Sequence, residues 1–113
     1  MHELALTEGI LSIVTSEQKK SGFSRVLEID LRIGEYSGVI PSCIEEFFPL
    51  AAKGTAAEGA KLVLETVKAE FKCSDCGFHG PLEKHTACCP KCGGTAIRMM
   101  AGREFFVDNL IVE

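Results

Sequence analysis

Two cysteine pairs constrain this chain more than any other feature: Cys73-Ser-Asp-Cys76-Gly77 and Cys89-Pro-Lys-Cys92-Gly93. A two-residue gap lets one tight turn aim both sulfurs at a single ion, and the glycine after each pair frees the backbone to turn amides toward the thiolates. Four thiolates close a tetrahedral zinc site. With no open position for water or substrate, such a site is structural. Five of the six cysteines fall between positions 73 and 92. A disulfide framework would spread them out, so in a reducing compartment the cluster reads as metal binding. Iron in a rubredoxin-like centre is the alternative ion for the same ligands. Cys88 is set aside because only Cys89 makes a CxxCG pair with Cys92. Cys43, at the start of a helical pattern, reads as an apolar thiol. His79 and His85 are either substitute ligands under acid or, the preferred reading, surface residues near an anionic cluster, with Lys72, Lys84 and Lys91 offsetting its charge.

A metal staple matters in a chain of 113 residues, which has room for one small domain and an appendage. Apolar residues at 46% and charged residues at 25% suit a folded globular protein. The net charge of -4 offers no basic field to gather phosphates, which argues against nucleic acid as a partner. No segment approaches the roughly 20 apolar residues needed to cross a bilayer, and the N-terminus lacks the pattern of a secretory signal. A cytoplasmic protein with no membrane partner is expected.

The apolar spacing of Leu4, Leu6, Ile10, Leu11, Ile13 and Val14 predicts a helix from about residue 3, ended by Lys19, Lys20 and Gly22. From Val26 to Gly34, Leu27, Ile29, Leu31 and Ile33 alternate with Glu28, Asp30 and Arg32, which predicts a strand with one wet face. Ser42 and Glu45 suggest a capping box for a second helix, with Pro49 expected to kink it or end it early. Leu62 to Phe71 and Phe105 to Val112 read as two further strands. The expected fold class is α+β: a small mixed three-stranded sheet packed with two helices, plus an inserted zinc-ribbon-like zinc domain. The expected division is 1–70 with 104–113 as one unit and 71–103 as the inserted zinc-binding one.

Met1-His2-Glu3 gains meaning because the helix begins at once. The α-amine of Met1 with the amide nitrogen and imidazole of His2 can form adjacent chelate rings. That planar nitrogen set suits Ni(II) or Cu(II) better than zinc. No serine or cysteine nucleophile with a base, phosphate loop or open metal site is evident, so an enzyme is not expected. A zinc-ribbon adaptor without nickel function is the alternative reading.

These residues together resemble the HypA/HybF family of hydrogenase maturation factors nearly from end to end. The resemblance rests on Met1-His2-Glu3, Ile33-Gly34-Glu35, Ser37-Gly38-Val39, Gly54-Thr55, Glu58-Gly59-Ala60-Lys61-Leu62, both cysteine pairs and Gly102-Arg103-Glu104. It implies a nickel metallochaperone that binds Ni(II) transiently through Met1 and His2, with Glu3 beside them, and keeps Zn(II) on Cys73, Cys76, Cys89 and Cys92. The implied recipient is the [NiFe] hydrogenase large-subunit precursor, the implied partner a HypB-type GTPase, and the expected state a monomer or weak homodimer. Ile40 departs from the family pattern, which has an acidic residue near the nickel site. Gly77 and Gly93 stand where some relatives place histidine.

Overall fold

The computed structural model describes residues 2–82 and 87–113; Met1, residues 83–86 and the side chain of His2 are outside it. The expectations for Met1, Lys84 and His85 therefore lie outside the described residues.

Helix α1 spans His2–Ser21 and turns Ile10 and Val14 inward. Its end is set by Gly22, whose φ of 73° lets its N–H donate to the Gln18 carbonyl at 2.8 Å, while Lys19 and Lys20 complement the dipole of the last turn. Strand β1 (Val26–Gly34) follows, and Ile29, Leu31 and Ile33 alternate into the core as their spacing predicts. Leu27 does not. The partner register steps from Val26 opposite Val112 to Glu28 opposite Ile111, so Leu27 is an extra bulge residue. The bulge buries Val26, at 1% exposure, and leaves Leu27 at 39%.

Helix α2 spans Pro41–Ala52 and corrects two expectations. Its N-cap is Ile40, with Pro41 at the first helical position and no side-chain capping bond, so Ser42 and Glu45 form no capping box. Proline's fixed φ and missing donor suit that first position, which moves the start ahead of Ser42. Nor does Pro49 end the helix early, since it continues to Ala52. Pro49 falls in the last turn beside exposed Glu45, whose carbonyl water can reach.

The segment expected as one strand over 62–71 is two, β2 (Lys61–Val67) and β3 (Glu70–Cys73). They belong to different sheets. The first sheet has the order β2-β1-β6, where β6 is Phe105–Val112, parallel to β2 on one side of β1 and antiparallel to β6 on the other. The second has the order β4-β3-β5, with β4 at His79–Gly80 and β5 at Ile97–Ala101. Ile10, Val14, Val26, Ile29, Leu31, Ile44, Phe48 and Ala52 form one buried cluster that joins both helices to β1. On the other face Arg32 bridges neighbouring strands, 2.8 Å from Glu65 and 3.4 Å from Asp108.

The sheets meet at a backbone crossing. Gly34 N–H donates to the Glu104 carbonyl at 2.6 Å, Glu35 N–H to Val67 at 2.9 Å and Tyr36 N–H to Gly102 at 2.7 Å. The Glu35 carboxylate accepts from the Ala69 amide at 2.9 Å, just where β2 gives way to β3. A Cβ at Gly34 would fall on the Gly102 carbonyl and lie 2.7 Å from the Arg103 nitrogen. Gly102, at φ 122°, also passes close to Ala69, whose Cα would lie 2.8 Å from an added Cβ.

Candidate metal centre

Cys73 is the last residue of β3, and the second cysteine pair lies in the turns that lead to β5. Both pairs fold by the same bonds. In the first, Gly77 N–H donates to the Cys73 carbonyl at 3.0 Å and Cys73 N–H to Phe78 at 2.9 Å. In the second, Gly93 N–H donates to Cys89 at 2.8 Å and Cys89 N–H to Gly94 at 2.7 Å. Gly77 and Gly93 hold φ of 79° and 74°, a region costly for residues with a Cβ, which is why glycine follows each pair.

The four Sγ atoms of Cys73, Cys76, Cys89 and Cys92 lie within 4.8 Å of one another. Cys73 and Cys92 are 3.7 Å apart, and Cys76 and Cys89 3.5 Å. A tetrahedron with zinc–sulfur bonds of about 2.3 Å has edges of about 3.8 Å, so the set fits an S4-coordinated ion. The first cysteine of each pair is buried and the second is closer to solvent. Cys88 is exposed and outside the cluster. His79, on β4, is also outside it; its Nε2 is 3.6 Å from a Glu70 carboxylate oxygen.

Backbone amides and neighbouring sulfurs drive the two thiols of the second pair in opposite directions. Burial pushes the Cys89 thiol up, but the N–H groups of Cys92 and Lys91, 3.5 and 3.4 Å from its sulfur, and the neighbouring thiols outweigh that and lower it to about 7. At Cys92 the Gly94 amide pulls downward, yet the adjoining Cys76 and Cys89 sulfurs win and push it up to about 12. Neighbouring thiolates repel, so without a cation all four cannot ionise near neutrality. A divalent soft-to-borderline ion removes that conflict and displaces the protons.

Of the N-terminal residues expected to bind nickel, the structure places the His2 backbone and Glu3 in the first turn of α1. Glu3 is buried at 7% exposure, and its carbonyl accepts from the Thr7 hydroxyl at 2.8 Å. Met1 and the His2 imidazole lie outside the described residues. Ile40 caps α2 with its side chain 54% exposed. Sequence reasoning missed the role of Glu35 and Gly102 in joining the two sheets, although both fall in stretches it singled out.

A family model described as "Hydrogenase/urease nickel incorporation, metallochaperone, hypA" matches residues 1–112. The chain is 35% identical to the hydrogenase maturation factor HypA of Dehalococcoides mccartyi strain 195, over all of this chain and 95% of that one. It is 40% identical to the hydrogenase maturation factor HypA of Methylocella silvestris, with both chains covered in full. Two solution structures share the fold at 22% identity. The first, of a HypA protein, has a TM-score of 0.77 over 100% of this chain and 97% of that one. The second, of the Ni metallochaperone HypA from Helicobacter pylori, has a TM-score of 0.72 over 99% and 97%.

Proposed function

The chain belongs to the HypA family of nickel-incorporation metallochaperones, and on that premise we propose that it binds Ni(II) at its N-terminus and delivers it to a [NiFe] hydrogenase large-subunit precursor. The observation that carries this reading is the closure of the thiol cluster. Four sulfurs that all neighbour one another fill a tetrahedral ion's coordination and leave no position for exchange. An ion held there stays, so a delivered ion needs another site.

The site we assign to it is the Met1 amine, the amide nitrogen and imidazole of His2, and Glu3 in the first turn of α1. A planar set of a few nitrogens suits a d8 ion and can give it up to a stronger ligand set. Cys73, Cys76, Cys89 and Cys92 hold Zn(II), which supplies only a cross-link between the two turns. On this reading the chain is not an enzyme, works in the cytoplasm as a monomer or weak homodimer, and meets a HypB-type GTPase but neither nucleic acid nor membrane. No helix among the described residues is long and apolar enough to cross a membrane. The chain divides into 1–70 with 104–113 for nickel and 71–103 for zinc.

Adding Ni(II) to the zinc-loaded protein tests the assignment. A visible absorption band from planar nickel–nitrogen ligation should appear in the native chain and be lost in His2→Ala, with zinc content unchanged in both. Displacement of zinc by nickel, or the same band in His2→Ala, would overturn it.

A further inference from the structure

The second sheet carries an open strand edge beside the first cysteine turn. Strand β5 pairs only with β3 among the described residues, so its other edge presents open backbone donors and acceptors. A concavity of ≈ 510 Å³ runs beside that strand, bordered by Arg98, Met99, Met100 and Arg103. A second, of ≈ 370 Å³, is bordered by Lys72, Ser74 and Arg98 together with Cys73 and Gly77 of the first cysteine turn. Arg98 is common to both.

Lys72 and Arg98 stand directly opposite each other on β3 and β5. Like charges facing across a strand pair weaken a sheet. Both are exposed, as is Arg103, and none has a carboxylate partner among the described residues. Strand alternation puts Lys72 and Arg98 on the face opposite Cys73 and Ile97, away from the thiolates they would otherwise neutralise. Glu104 also borders the larger concavity, but its carboxylate accepts from the Gly102 amide.

We propose that the outer edge of β5 receives an extended, carboxylate-rich segment of a protein partner, which adds to the sheet as a further strand while Arg98, Arg103 and Lys72 pair with its acidic side chains. The edge supplies main-chain hydrogen bonds, which require a peptide backbone, and the cations select acidic side chains. The exposed Met100, outward like Arg98, offers adaptable apolar contact beside them. The same cations in a chain of net charge -4 form too short a positive strip to gather a polyanion, which favours a peptide over nucleic acid.

The test uses the full zinc-loaded chain and a fluorescent alternating Glu–Val peptide, followed by anisotropy and by amide hydrogen exchange. The peptide should bind, slow exchange in Ile97–Ala101, and bind at least about tenfold more weakly to the triple variant Lys72→Glu, Arg98→Glu, Arg103→Glu. A variant with the same charge change elsewhere, Lys19→Glu, Lys20→Glu, Lys53→Glu, should bind within about twofold of native. Zinc content equal to native shows that each variant is folded. Equal weakening in both variants, equal binding of a Gln–Val peptide, tighter binding of oligothymidylate, or unchanged exchange in β5 would each overturn the proposal.

Discussion

Single glycines differ sharply in what an added side chain would cost. Alanine at Gly34 drives its Cβ into the Gly102 carbonyl, a backbone atom that cannot swing aside. We expect Gly34→Ala to lose about 3 kcal/mol in denaturant unfolding of the zinc-loaded chain. Gly9 is the opposite case: it lies inside α1 with nothing among the described residues within 4 Å of a Cβ, so Gly9→Ala should gain about 0.5–1 kcal/mol by the same measurement. The sequence puts Gly9 in a helix and Gly34 at a strand end, but it does not show the close approach at Gly34, which is a tertiary fact. The glycines after each cysteine pair were legible because their need for positive φ is local. Glu104 gives a prediction in pH. Amides of its own residue, Gly102 and Arg103 hold its carboxyl below the ordinary value of 4.5. The stability it contributes is therefore present above pH 4.5 and is lost as pH falls through its lowered value. A carboxyl-carbon NMR titration should place Glu104 below 4.5, and Glu104→Gln should flatten the acid limb of stability under that pH.

The elements divide into those whose pattern is their own and those set by a partner. Strand β6 runs over Phe105–Val112 as its composition predicts, and α1 ends where its lysines and Gly22 say it should. By contrast, the break between β2 and β3 depends on the Glu35 carboxylate capturing the Ala69 amide, which no local signal reveals. Strand β5 alternates Ile97 and Met99 inward with Arg98 and Met100 outward, so it could have been read, but the metal-binding reading of its neighbours masked it. The cysteine turns close β3 and lead into β5, so zinc should hold that pair of strands together. Removing zinc with a chelator should abolish hydrogen-exchange protection in β3 and β5 while β1 and the buried faces of α1 and α2 keep theirs. Cys76→Ala should lower zinc occupancy and thermal stability in the same region. Uniform loss of protection across the chain would mean that the thiol cluster supports the first sheet as well.

At the scale of the molecule, the radius of gyration is 17.8 Å and the principal extents are 54 × 27 × 17 Å. A single compact globule of this length would have a radius near 13 Å. The second sheet must therefore project from the first, with the Gly34–Gly102 crossing between them. On the proposed reading the two metals have different tasks: a thiol cage on the projecting sheet would retain its ion, while the N-terminal end of α1 would exchange one. The cage was fully legible, because paired spacing fixes four ligands without reference to the fold. The nickel set rests on three residues whose meaning depends on the helix beginning beneath them. Calorimetric titration of Ni(II) into the zinc-loaded native chain, into His2→Ala, and into a chain extended ahead of Met1 tests this division most directly. The account predicts a nickel site in the native chain that weakens at least a hundredfold, about 2.8 kcal/mol, in both altered chains while zinc stays bound. Equal nickel affinity in all three, with zinc retained, would contradict it.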